Sequence, residues 1–188
     1  MEKVTDLEAE QRKIIRRAAV AIVFCVLVLA GSYLLLPRLM AFPTGLAQRL
    51  AFALQADLFV LIWIIIGVRM VSRGRFHSAI DNPGSAFAPP SPAIAVQVAF
   101  LQNTLEQAVA AVGAHLALAT LISGPLLALI PGAVFLFAIG RFTFLRGYPH
   151  GAGARAFGVV TTVVPTIGAY GWAIGLILFR SLSGSSAT

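Results

Sequence analysis

Glu106 is the residue whose type and position most invite chemistry. It is the only acid in the long apolar run from Pro92 to Ile122, and no acid follows it. Asn103 stands three residues before it, within Gln102-Asn103-Thr104-Leu105-Glu106-Gln107. In a helix that spacing places both side chains on one side. A carboxylate inside a bilayer costs roughly 2.5–3.5 kcal/mol even on the lenient insertion scale, so it is expected to face protein or water and to mark a site. On a helical wheel Asn103, Glu106 and Gln107 cluster, with Ala99, Ala110 and Ala114 near the same line. One reading of this stripe is a packing seam whose polar groups bond one another. The other is a binding site. Arg69 and Arg73, with Arg141, Tyr148 and Arg155 further on, are the partners it would draw on. A buried acid beneath several arginines could hold a zwitterionic or anionic small molecule. The acid would take an amine, and the guanidinium groups would take carboxylates or polarise a thiol. The plain reading of each arginine is a topology determinant at headgroup level.

The other polar residues carry less. Asp57 belongs to the membrane face opposite the arginines and reads as a solvated interfacial acid. His115 lies off the stripe and reads as a satisfied polar residue rather than a ligand. His77 and His150 fall in loops, and three scattered histidines with the single Cys25 give no metal spacing. Gly171-x-x-x-Gly175 reads as a helix-packing motif. No phosphate loop, dinucleotide fingerprint or Ser/His/Asp arrangement occurs.

These residues need helices to position them. The chain is 59% hydrophobic and 11% charged, with a mean hydropathy of +0.89. A soluble domain is roughly 25% charged, so the composition requires an integral membrane protein. Its net charge of +7 follows from basic residues at segment ends and does not indicate nucleic-acid binding. Residues 1–17 form a charged leader. Five apolar segments follow, each long enough for the roughly 20 residues a span needs save for a residue at most: 18–36, 50–71, 92–122, 126–144 and 156–179, the third of them long for a single crossing. The first reads as an uncleaved anchor rather than a signal peptide. Pro37–Arg49 and Gly74–Pro92 read as loops, Ser123-Gly124-Pro125 as a tight break, and Pro131-Gly132 as a kink. Arg141–Arg155 reads as a flexible connection and residues 180–188 as a disordered tail. Thr161 and Thr162, a turn before Pro165, are placed to satisfy backbone groups freed by the proline. Basic residues alternate between rich and poor connections, as five spans with a cytoplasmic N-terminus require. A bacterial inner membrane is the expected location.

Residues 50–179 resemble the MAPEG family, membrane-associated proteins in eicosanoid and glutathione metabolism. The resemblance rests on Asn103-x-x-Glu106, on Arg141 through Gly147-Tyr148 with Arg155 seven residues later, and on the Arg69–Arg75 cluster. Residues 18–36 lie outside it as an additional N-terminal helix. The resemblance implies an all-α four-helix membrane bundle, a homotrimer, and glutathione held between subunits near the cytoplasmic end. On that analogy Asn103, Glu106, Tyr148, Arg141 and Arg73 bind the peptide, and Arg155 stabilises its thiolate. Enzyme members carry an arginine where this chain has Ala99, and often a glutamine where it has Leu101. Tyrosines stand in place of Gln107 in some members and of Phe144 in enzyme members. Two functions follow: a glutathione-dependent transferase or peroxidase acting on a lipophilic electrophile from the bilayer, or a non-catalytic scaffold binding lipid or a membrane partner on the same fold. A proton-coupled carrier is a third reading; it rests on Glu106 alone and lacks an internal repeat.

Overall fold

The structure, a computed structural model, describes residues 7–184; the first six residues of the leader and the last four of the tail lie outside it. It is built of five long helices: α1 (Leu7–Leu39), α2 (Leu46–Phe76), α3 (Ala95–Leu121), α4 (Leu129–Gly147) and α5 (Ala152–Gly184). No strand occurs among the described residues. With the 3₁₀ turns at Gly124–Ala128 and Tyr148–His150 counted into the fourth, all five segments are long and apolar enough to cross a membrane.

The spans follow the apolar runs, but their ends differ in instructive ways. α1 is continuous from the charged leader through the apolar run and carries Pro37 in its last turn. α2 begins at Leu46 and runs on past Arg69, Arg73 and Gly74 to Phe76. The turn after α3 starts at Gly124 with φ +61°, a backbone conformation that glycine adopts without steric cost. Pro131 does not kink a helix. It sits in the first turn of α4, where a missing N–H removes no intrahelical bond. The expected flexible connection from Arg141 to Arg155 is also overturned. Arg141 lies within α4 and Arg155 within α5, and only Tyr148–Gly151 separates the two helices. Arg180 to Gly184 continue α5 as helix.

The helices do not associate because water drives them together, since lipid tails are as apolar as leucine; close packing does that work. α3 supplies small residues, Ala108, Ala111, Ala114 and Ala119, to a core completed by Val60, Leu127, Ile130 and Phe137. α4 and α5 make the most extensive contact. Their backbones meet at Gly140 and Gly158: a methyl group on Gly158 would lie 2.5 Å from the carbonyl oxygen of Gly140. Gly171 and Gly175, the expected packing pair, have open space beside them instead. α1 lies against α5 and α4. Near its start Gly153 donates to Glu10 at 2.6 Å and Arg17 donates to the carbonyls of Gly153 and Ala154 at 3.2 and 2.8 Å. These bonds tie the leader to the α4–α5 connection, so the basic ends share one side. At the other end Arg49 and Arg180 cap the last carbonyls of α3, at Ile122 and Leu121 respectively.

Between α2 and α3 the Pro-rich loop is held by one acid. The carboxylate of Asp81 accepts from the Ser78 and Ser91 hydroxyls, both at 2.6 Å, and from the Ser91 N–H at 2.8 Å. The Ser78 bond first, and then the Ser91 bonds, hold its carboxyl below the usual carboxylate range.

Candidate functional site

Arg141 organises the polar interior at the arginine-rich end. It is completely buried. Nη1 donates to Oδ1 of Asn103 at 2.7 Å, and Nη2 donates to the Thr162 hydroxyl at 2.6 Å. Its guanidinium carbon lies 4.9 Å from the Phe144 ring centre and 5.5 Å from that of Phe137. A cation taken out of water must be paired or solvated by fixed dipoles and ring faces, and here three helices supply them. Arg141 therefore serves as a bolt joining α3, α4 and α5. Its role is to position Asn103; its side chain has no surface to offer a ligand. Thr162 is the residue that sequence reasoning undervalued. Its hydroxyl also donates to the Val159 carbonyl at 2.9 Å, and its free lone pair faces Arg141.

From Arg141 an aromatic path leads to the protein surface. The rings of Phe144 and Tyr148 meet edge to face at 5.4 Å, and the Arg155 guanidinium stands 4.4 Å over the Tyr148 ring. Tyr148 and Arg155 are thus brought together. Arg155 is half-buried and has no carboxylate partner among the described residues.

Glu106 is placed otherwise than expected. It is exposed on the outer face of α3 and accepts from Nε2 of Gln102 at 2.7 Å. The three-residue step from Asn103 turns a helix by about 60° short of a full circle. That difference sends Asn103 toward α4 and Glu106 away from the bundle. Arg73 is likewise exposed, beside His77 and Gln97. Within one chain, then, Asn103 and Arg141 form an interior pair, Tyr148 and Arg155 a surface pair, and Glu106 and Arg73 face outward.

Residues 49–175 match the sequence model of the MAPEG family. The chain belongs to the MAPEG family. The match takes in α2 to α4 and most of α5, and leaves α1 outside it. Comparison with curated proteins and with solved structures gave no match. In this MAPEG-family chain the departures noted in the sequence have structural places. Leu101 packs against Gly67 of α2, where an added methyl would lie 3.1 Å from its Cδ1. Phe144 is buried between Phe100, Arg141 and Tyr148. A ring without a hydroxyl suits that position, since a buried hydroxyl needs its own partner.

One further reading is corrected. Asp57 is not solvated. It is fully buried, and its Oδ1 lies 2.6 Å from Nδ1 of His115, itself 3% exposed at the side chain. His115 is the satisfied polar residue expected, but its partner comes from a helix 58 residues away, a pairing no local pattern announces. The threonine expectation is not met. Thr161 donates to Phe157 and Thr162 to Val159, which satisfies carbonyls further upstream. The carbonyl that Pro165 leaves free, that of Thr161, is approached by the Cys25 thiol of α1 at 4.0 Å.

Proposed function

We propose that the chain is a thiol-dependent membrane enzyme, a glutathione transferase or peroxidase that acts on lipophilic electrophiles. The observation that supports this reading best is Arg155. Its guanidinium is held over Tyr148, at the surface, with no acid to neutralise it among the described residues. A cation so placed lowers the energy of a neighbouring thiolate, which is the reactive form of a thiol.

The residues present fit glutathione in part. Arg155 and Tyr148 would hold the sulfur end. Glu106, exposed and bearing a carboxylate, would take the amine from a neighbouring subunit of a homotrimer in which these outer faces meet. Asn103, fixed by Arg141, would offer its amide. Arg141 itself does not fit as a ligand contact, because every face of its guanidinium is enclosed. When bound, glutathione supplies the sulfur nucleophile. The chain supplies the cation that favours its deprotonation and the apolar surroundings that admit an electrophile from lipid.

The test is turnover of glutathione with 1-chloro-2,4-dinitrobenzene by purified protein in detergent. Wild type is expected to exceed the uncatalysed rate, and Arg155→Ala to fall to background while melting as wild type does. An Arg155→Ala variant as active as wild type would remove the proposed role. Ala99, which leaves this face of α3 without an arginine, favours the alternative of a lipid- or partner-binding scaffold; absence of any turnover in wild type would select it.

A further inference from the structure

Away from the arginine-rich end the bundle has a second place for chemistry, a partly open pocket. A cavity of about 230 Å³ lies among α1, α3, α4 and α5. Its walls are almost wholly apolar, formed by residues such as Leu29, Leu118, Ile130, Pro165 and Trp172, and His115 is the one ionisable ring that reaches it. His115 lies twelve residues beyond Asn103 on α3, about 18 Å along the helix axis at 1.5 Å per residue. The cavity is therefore separate from the Tyr148–Arg155 surface. Part of its wall, including Cys25 and Leu29, comes from α1, which the family match does not include.

The polar equipment of this cavity is built in. Nδ1 of His115 is committed to Asp57 at 2.6 Å, both side chains being at least 97% buried. The second carboxyl oxygen of Asp57, Oδ2, is buried and makes no hydrogen bond. A net charge is costly to hold in so apolar a place, so the pair is neutral as a unit. A proton on Oδ2 would leave a buried O–H without an acceptor, so two arrangements remain: a carboxylate beside an imidazolium, or a carboxylic acid donating to Nδ1. In both, Nε2 carries the hydrogen. The ring nitrogen not used by Asp57 is thus an N–H donor without a protein acceptor among the described residues.

We propose that this cavity binds a small, uncharged, lipid-soluble molecule through one hydrogen-bond acceptor, a carbonyl oxygen being the best match, received by Nε2–H of His115. The volume sets the size. An engineered apolar cavity of about 150 Å³ takes up benzene, so about 230 Å³ admits a single ring with a short substituent, or the end of a longer chain. An anion is excluded because no Lys or Arg lines the walls to balance its charge. Asp57 is a positioning residue here, fixing the ring and its proton. Trp172 and Gly168 line the cavity on α5, and a Cβ added at Gly168 would meet no atom within 4 Å, so a larger side chain there starts from open space beside the cavity.

The test uses the full chain in detergent with two fluorinated probes of similar shape, 4-fluoroacetophenone and 1-ethyl-4-fluorobenzene. Binding is read from fluorine NMR line broadening at equal mole fraction in the micelle. The ketone is expected to bind roughly two- to twelvefold tighter than the hydrocarbon, the range of one net hydrogen bond. His115→Leu is expected to abolish that preference while the hydrocarbon still binds. Gly168→Leu, which keeps the His115–Asp57 pair, is expected to weaken both probes. Equal binding of the two probes to wild type would overturn the proposal. So would unchanged binding of both to Gly168→Leu. Neither result depends on glutathione or on Arg155.

Discussion

Asn103→Leu is predicted to destabilise the protein by leaving Arg141 one partner short, and the size of the effect follows from the structure. Arg141 is fully buried and its Nε already lacks a partner. Nη1 has only the 2.7 Å bond to Asn103. A hydrogen bond to a charged group contributes about 1.5–3 kcal/mol, and an orphaned buried charge lies at the upper end. For a chain of this size each kcal/mol shifts the melting temperature by about 2–4 °C. The expected fall is therefore about 3–12 °C by that scaling. In an Arg141→Met background the same change should cost under about 0.5 kcal/mol, because the cation that needed the amide is gone. Cys25 provides the assay. It is the single cysteine of the chain and is 1% exposed, so a fluorogenic maleimide reports its release on heating. If Asn103→Leu melts with wild type, or loses as much in the Arg141→Met background, the bolt has been misread.

Other consequences are as direct. Gly158→Ala should lower the melting temperature by about 2–12 °C, since overpacking costs about 1–3 kcal/mol; Gly171→Ala, whose added methyl meets nothing within 4 Å, should not lower it at all. The Asp81 carboxyl is held below its ordinary range, so its contribution to loop order is complete above the unfolded carboxylate value of about 4 and is lost as pH falls through the lower, folded value. Hydrogen exchange across residues 77–94 should then be the same at pH 7 and pH 5 once corrected for intrinsic rates. It should quicken only under stronger acid. Asp81→Asn should show the quickened exchange at neutral pH.

Much of the fold could be read from the chain because spans are set by length and apolarity, which local composition records. All five were legible. The site was legible only where partners are near in sequence. Tyr148 opens one short turn and Arg155 lies just beyond it in α5, and the resemblance to the family pairs them. Asp57 is misjudged because it is ordinary alone, and only the packing of α2 on α3 joins it to His115. Arg141 to Arg155 reads as a loop because it is rich in Arg, Gly, Tyr and Pro. The buried guanidinium is instead accommodated inside α4, and the helix ends only at Gly147, before Pro149. Glu106 shows the limit of a helical wheel. The wheel groups it with Asn103, and the arc between them decides which one meets the next helix.

On the function proposed above, the Tyr148–Arg155 surface receives a thiol. Calorimetry of glutathione binding to purified protein, with thiolate formation followed by ultraviolet difference absorbance, tests it most directly. Binding at millimolar glutathione is expected, with a thiolate signal in wild type, weaker binding in Glu106→Gln, and the signal lost in Arg155→Ala. No heat and no thiolate signal in wild type would contradict the claim.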